Sequence, residues 1–432
     1  MTELVKGHAE ARMQPSATAM DRFLRSRLLT TLSGLQRGTL ALHDPLGHQQ
    51  LGQHRADTDD PQASISVNDM RFYRALAMNG SVGAAEAYAD GAWRSDDLVA
   101  LVRLLVRHRD LLDRMETGTA RLGGAAMRLW HAWRGNTREG SRRNIAAHYD
   151  LGNAFFGLFL SEDLMYSSAL WAGANDTLEA ASSRKLDVIC RKLDLKPGQR
   201  VVEIGTGWGG FALHAARHYG CHVTTTTISQ EQFALASQRI REAGLGDRVT
   251  VLSSDYRDLE GSYDRLVSIE MIEAIGARYM ETYFGKICSL LKPDGMALVQ
   301  AITIEDHRYA KALASVDFIK RHIFPGSFIP SLNAMLEAKT RASDLALVHQ
   351  EDFGLSYALT LRAWRERFMA KLDKARAQGY DERFLRLWEF YLAYCEGAFL
   401  ERAIGVSHLL LSKPGARPSA ARWTYRDGGS LP

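Results

Sequence analysis

From about residue 200 the apolar positions of this chain alternate between two rhythms. Short runs with strand character, Val201-Val202-Glu203-Ile204, Cys221 to Thr227, Arg248 to Ser253, Tyr263 to Glu270 and Met296 to Ile304, are spaced by segments with helical periodicity. Those segments are Phe211 to Ala216, Ser229 to Ala243 and Ala277 to Leu291, the last closed by the turn Lys292-Pro293-Asp294-Gly295. Strand and helix in this order predict an α/β fold, a doubly wound, Rossmann-like parallel sheet, in a domain spanning 144–413. Ligands of such sheets sit outside the carboxyl ends of the strands, a rim that here carries Gly205, Thr227, Asp255, Ile269 and Gln300.

The flanking regions read differently. Residues 1–20 mix small and polar residues without a period and are expected to be disordered. Over 21–115 the pattern predicts a small, mainly helical N-terminal domain. Its helices are Phe23 to Leu32, Asn79 to Gly91 and an amphipathic one from Asp96 to Met115, with a turn-rich stretch around Asp44-Pro45-Leu46-Gly47. A basic linker follows over 116–143, where Arg121, Arg128, Arg134, Arg138, Arg142 and Arg143 interleave with Leu122, Met127, Leu129, Trp130 and Trp133. That mixture suits the headgroup layer of an anionic membrane and equally a solvated linker helix. Residues 305–345 interrupt the strand-helix order with an aromatic and basic segment, Phe318 to Gly326, which we read as a substrate cover. Residues 414–432, rich in proline, glycine and alanine, read as a loose tail.

Composition narrows the function classes. With 46% hydrophobic and 24% charged residues in 432, the chain is globular, and its formal charge of +4 is modest, so the distribution of basic residues matters more than their total. No uncharged apolar run reaches the roughly 18 residues of a membrane span, and no signal-peptide pattern is present, so membrane contact is expected to be peripheral. Cys190, Cys221, Cys288 and Cys395 are scattered, which suits reduced thiols in the cytoplasm rather than zinc or disulfides. No base-reading or stacking module accompanies the arginines, which argues against nucleic acid.

The chemistry centres on Gly205-Thr206-Gly207-Trp208-Gly209-Gly210 between a strand and a helix. Glycine permits the positive φ of a tight turn and lets a ligand lie on the backbone, while the helix aims free N–H groups at it. Glycines at 205, 207 and 209 have the Gly-x-Gly-x-Gly spacing of S-adenosylmethionine sites, although Gly210 blurs the distinction from a dinucleotide fingerprint. The second strand ends Thr224-Thr225-Thr226-Thr227 with no acid, so the usual NAD ribose contact is missing. Thr227 and Gln232 stand instead where neutral groups can bond a ribose.

Further motifs carry a resemblance. His148-Tyr149-Asp150-Leu151-Gly152-Asn153, Met165-Tyr166-Ser167-Ser168-Ala169-Leu170-Trp171, Leu195-Lys196-Pro197-Gly198, Asp255-Tyr256-Arg257-Asp258-Leu259, Phe324-Pro325-Gly326 and Tyr357 to Trp364 stand in the order found in one family. The chain resembles the cyclopropane fatty acid synthases and related mycolic acid methyltransferases over most of its length. The resemblance implies a class I methyltransferase domain, S-adenosylmethionine as cofactor, and an unsaturated acyl chain as substrate, carried in bacterial members on a membrane phospholipid. It implies a cytoplasmic enzyme, peripheral on the inner membrane surface; a homo-oligomer is compatible with it. By likeness Tyr166 and Ser167 touch the methionine part, Gly205 and Gly207 approach it by backbone, Thr227 and Gln232 hold the ribose, and Tyr256 borders the adenine, with Ile269 on the same rim. Glu273 matches the family's acid, and Tyr357 and Ile302 match two groups that hold a bicarbonate base.

Two other positions depart from that pattern. Ser168 and Gln300 replace a cysteine and a histidine, and Glu270 and Ala274 flank Glu273 where a small residue and a histidine are expected. The departure leaves two readings: a retuned bicarbonate site, or a site in which Glu273 or Glu270 itself takes the proton. In the second, the product is a methyl or methylene branch rather than a ring. A methyltransferase for an amine or small aromatic compound, and a non-catalytic binding homologue, are the competing assignments.

Overall fold

The computed structural model describes residues 17–55, 58–113, 151–173 and 175–417. The basic linker and most of both termini lie outside the described residues.

The N-terminal unit begins with α1 (Ala19–Leu32), which starts earlier than its apolar pattern suggests because Thr18 and Asp21 form a reciprocal capping box. Residues 17–20, expected to be disordered, are therefore built into this helix start. The turn-rich stretch adds a sheet to the helices expected of this unit: β1 (Gly38–Asp44), β2 (Gly47–Gln53), β3 (Gln62–Val67) and β4 (Trp93–Arg94) pair in the order β2-β1-β3-β4. Leu40 and Leu42 of β1 and Ala63, Ile65 and Val67 of β3 alternate into the core. The exposed β2 shows almost no alternation, so its pairing is invisible as a pattern. Two helices cover the sheet. α2 (Arg71–Ala89) is kinked where Gly80 takes φ +53°, and α3 (Leu98–Arg107) is capped by Asp97.

The second sheet has seven strands: β5 (Arg200–Ile204), β6 (His222–Thr227), β7 (Val249–Ser253), β8 (Tyr263–Ile269), β9 (Leu291–Ile304), β10 (Ala346–Asp352) and β11 (Ile404–Ser412). Their order is β10-β11-β9-β8-β5-β6-β7. Neighbours from β5 to β9 are parallel, as expected; β11 pairs antiparallel with both β9 and β10, so the sheet is mixed. The reason is the connection: α9 (Gly354–Met369) and α10 (Glu382–Leu400) pack on each other and return the chain to the end of the sheet it left. The remaining helices named here are α4 (Leu178–Lys192), α5 (Gly210–Tyr219), α6 (Gln230–Glu242), α7 (Met280–Leu290) and α8 (Leu332–Ala342). Residues 292–295, expected as a turn, lie within the span of β9 as an irregularity, where pairing shifts from Tyr263 with Leu291 to Arg265 with Met296. Gly415 N–H donates to the Pro293 carbonyl (3.0 Å) and Ala416 is buried, so the described start of the tail is fastened rather than loose.

The two units share one core along α10. Glu401 accepts from Arg103 (2.7 Å) and Arg107 (2.6 Å) of α3, and Phe390 packs on Tyr88 and Trp93. A Cβ at Gly397 would lie 2.7 Å from Val102 Cγ1, so α3 and α10 meet almost backbone to side chain. In an open helix Gly→Ala stabilises by about 1 kcal/mol. Here Gly397→Ala is expected to destabilise by about 1–2 kcal/mol through overpacking, seen as a lower melting temperature. An unchanged or higher melting temperature would contradict this contact.

Candidate active site

The glycine turn supplies the cradle. Gly205, Gly207 and Gly209 take φ of +99°, +53° and +86°, and the N–H groups of Gly205 and Thr206 donate to the Thr226 carbonyl, tying the turn to β6. A Cβ at Gly207 would meet nothing within 4 Å, whereas one at Gly210 would lie 2.5 Å from Met165 Sδ. Gly207 therefore faces open space while Gly210 serves packing, which resolves the ambiguity of four glycines. Beyond the turn, Thr227 donates to Gln232 Oε1 (2.9 Å) at the end of β6, and Ile269 closes β8 beside Gln300. The Tyr256 hydroxyl is buried without a hydrogen-bond partner among the described residues. An open cradle at a helix start, a polar Thr-Gln pair and an orphaned hydroxyl fit the carboxylate, ribose and adenine of S-adenosylmethionine.

Tyr166 and Ser167 come to this rim from the segment before α4. The Tyr166 and Tyr391 hydroxyls lie 2.9 Å apart, and Ser167 Oγ accepts from Lys185 Nζ (2.8 Å). The aromatic insertion does lie over them: Phe324 packs on Tyr166 and Tyr391, and Phe328 N–H donates to the Glu273 carbonyl (3.0 Å). His322, 2.9 Å from Glu86, joins this cover to the N-terminal unit. A cavity of about 160 Å³, bordered by Thr303, Glu305, Asp352, Leu355 and Arg402, reaches Phe399, whose ring lies 4.5 Å from that of Tyr357.

The acidic half of the site is organised around Glu270. Its Oε1 accepts from Ser168 N–H (2.9 Å) and from Gln300 Nε2 (2.7 Å), and its Oε2 from the Tyr357 hydroxyl (2.6 Å). The side chain thus points inward, and three groups implied for a bicarbonate are spent on it. Ser168 contributes its amide; its hydroxyl donates to the Ala169 carbonyl (2.9 Å) instead. Glu270 adopts φ +49°, unusual for a residue other than glycine, and this backbone strain turns the side chain into the protein. Glu273 accepts from Ile302 N–H through Oε1 (2.5 Å), while its Oε2 is buried without a partner among the described residues.

Both residues keep some accessible area where they border the site, but protein surrounds their carboxyls. Burial raises the pKa of Glu270, opposed by its donors; burial and then the charge of Glu270 push Glu273 up to about 8. Both carboxyls are thus shifted upward, with the opposing donors gathered on Glu270.

A profile of mycolic acid cyclopropane synthetase matches residues 136–409. The chain belongs to the mycolic acid cyclopropane synthetase family. It is 38% identical over 367 residues to the tuberculostearic acid methyltransferase UfaA1 of Mycobacterium tuberculosis, covering 83% of this chain and 85% of that relative. To the cyclopropane-fatty-acyl-phospholipid synthase of Escherichia coli it is 37% identical over 356 residues, covering 81% and 88%. Among solved structures, mycolic acid cyclopropane synthase CmaA1 with SAH and CTAB aligns at TM-score 0.59 and 28% identity, over 63% of this chain and 98% of that one. The chain is accordingly an enzyme, a methyltransferase that uses S-adenosylmethionine on the class I fold.

This synthetase-family site contains groups that the sequence reading passed over. Lys185 is fully buried on α4; burial pushes it down to about 8, while Glu203, held by Thr225 (2.6 Å), is pushed up to about 8. A lysine in the buried stripe Leu178, Ala181, Ser182, Lys185, Leu186, Ile189 was the available signal. His408, inside the apolar run of β11, was another.

The Glu273 shift has a sign that can be checked. Its folded-state pKa lies above the unfolded value near 4.5, so the native state binds more protons and loses stability as pH rises from 4.5 toward 8. The slope is up to about 1.4 kcal/mol per pH unit. Glu273→Gln removes this term, so its melting temperature should gain on the wild type progressively from pH 5 to pH 8; a constant offset would rule the shift out.

Proposed function

We propose that this chain methylates the double bond of an unsaturated acyl chain of a membrane phospholipid, that Glu270 receives the displaced proton without bicarbonate, and that the product carries a methylene branch. The observation behind this reading is the convergence of Ser168, Gln300 and Tyr357 on the Glu270 carboxylate. When bound, S-adenosylmethionine supplies the electrophilic methyl group. Tyr166 and Ser167 orient its methionine end, Gly205 and Gly207 let it lie on the backbone, Thr227 and Gln232 hold the ribose, and Tyr256 and Ile269 border the adenine side. Addition of the methyl to one alkene carbon leaves a cation on the acyl chain. The ionised Glu270 stabilises that charge, and Glu273, keeping its own proton, limits the pair to one negative charge.

The hydrogen bonds on Glu270 also favour the branched product. Three donors offset part of the basicity that burial gives this carboxylate, so the cation persists long enough for a hydride to shift from the methylated carbon to its neighbour. A proton then leaves the new methyl for Glu270, and its C–H electron pair forms the C=CH₂ bond, so the chain gains CH₂ in all. The similarity to a tuberculostearic acid methyltransferase supports methylation without ring closure, and that to a fatty-acyl-phospholipid synthase supports a lipid-borne substrate. No helix among the described residues is long and apolar enough to cross a membrane, and we place the enzyme at the membrane surface.

Vesicles of dioleoyl phosphatidylglycerol with methyl-labelled S-adenosylmethionine test this reading. The label should enter the acyl chains and give vinylidene protons by NMR, at a rate unchanged in carbonate-free buffer. Glu270→Gln should lose about 100-fold or more of the rate. Cyclopropane protons would refute the branch, restoration by bicarbonate would refute Glu270 as the base, and unlabelled acyl chains would refute the substrate.

A further inference from the structure

Behind Gln300 a second row of polar groups runs away from the cofactor rim. Gln300 Oε1 lies 3.0 Å from His408 Nε2, and His408 Nδ1 lies 3.0 Å from Lys192 Nζ. Lys192 also donates to Glu351, which is partly open to solvent. Gln300, His408 and Lys192 are themselves buried, and neither His408 nor Lys192 bonds to Glu270. Sheet register creates the contact: His408 of β11 is the direct partner of Gln300 on β9.

The direction of this row follows from donor chemistry. An ammonium has no acceptor, so His408 Nδ1 must accept from Lys192. The imidazole proton then sits on Nε2 and donates to Gln300 Oε1, which turns the amide NH₂ toward Glu270 Oε1. Were the amide reversed, its carbonyl would face the carboxylate and Glu270 would have to hold a proton there. The charged and titratable groups around His408 are Lys192 and Lys185 on α4 and His349 and Glu351 on β10, with Glu270 beyond Gln300. Burial and the two lysines hold the imidazole neutral, as the accepting Nδ1 requires.

We propose that Lys192 and His408 are positioning residues that set the orientation of the Gln300 amide and so hold Glu270 in its proton-accepting form. This rests on the reading of Glu270 as the base. The row conveys orientation and charge rather than a proton, because the Gln300 amide interrupts any simple relay.

The test uses the full-length enzyme, methyl-labelled S-adenosylmethionine and dioleoyl phosphatidylglycerol vesicles. His408→Leu should lower kcat about tenfold, the loss of roughly one buried hydrogen bond, with KM and Kd for S-adenosylmethionine unchanged. The acid limb of the pH-rate profile should move up by about one unit. Lys192→Met should do the same from the outer end, and carries the test if His408→Leu does not fold. His408→Gln, which keeps an N–H near the Nε2 position, and Lys192→Arg should restore most of kcat and the limb. A folded His408→Leu or Lys192→Met with wild-type kcat and acid limb overturns the proposal, as does a His408→Gln no better than His408→Leu. Glu270→Gln separates the two levels: if it stays active, the base assignment fails; if it is inactive while His408→Leu behaves as wild type, only the positioning role fails.

Discussion

A carboxylate withdrawn from water must be met by donors, and at Glu270 that requirement draws on distant parts of the chain. Ser168 precedes α4, Gln300 lies in β9 and Tyr357 in α9, and each gives one hydrogen bond. The residue is held in a left-handed backbone conformation at φ +49°, which costs of order 1 kcal/mol or more and persists because these bonds and the sheet over-determine it. Removing one donor therefore disturbs both the charge state and the backbone that presents it.

The neighbouring acid shows how one sheet end keeps two carboxyls in different states. Glu270 has three donors, whereas Glu273 has one and an unpartnered oxygen. Desolvation raises both carboxyls, and the donors that oppose it are gathered mostly on Glu270. Lys185 and Glu203 repeat the theme under the glycine turn, where a buried cation and a buried acid lie close enough for each to bias the other's ionisation.

Much of the catalytic domain was legible because its strands and helices have different apolar periods and its ligand turn needs glycines. Glu273, Ile302, Tyr357, Ser168 and Gln300 were legible through the family likeness; the structure sets Ser168, Gln300 and Tyr357 on Glu270 and Ile302 on Glu273. Glu270 was named as a possible base, but its inward direction was not legible, since it depends on a backbone dihedral angle that side-chain identity does not encode. Ser168 acts through its amide, which every residue but proline possesses, so the cysteine-to-serine change carried less information than it suggested. His408 and Gln300 stand 108 positions apart in sequence, and strand register brings them together. In the N-terminal unit, β1 and β3 alternate visibly, but β2 presents Gln49, Gln50 and Gln53 to solvent and offers no pattern to pair.

β11 is the last strand among the described residues and enters the sheet between two strands that precede it. The cradle at Gly205 and the donors Ser168, Gln300 and Tyr357 all precede it, yet the face of Gln300 turned away from Glu270 is met only when His408 arrives. A product truncated before this strand would keep the glycine turn but lack the imidazole that meets Gln300 from behind.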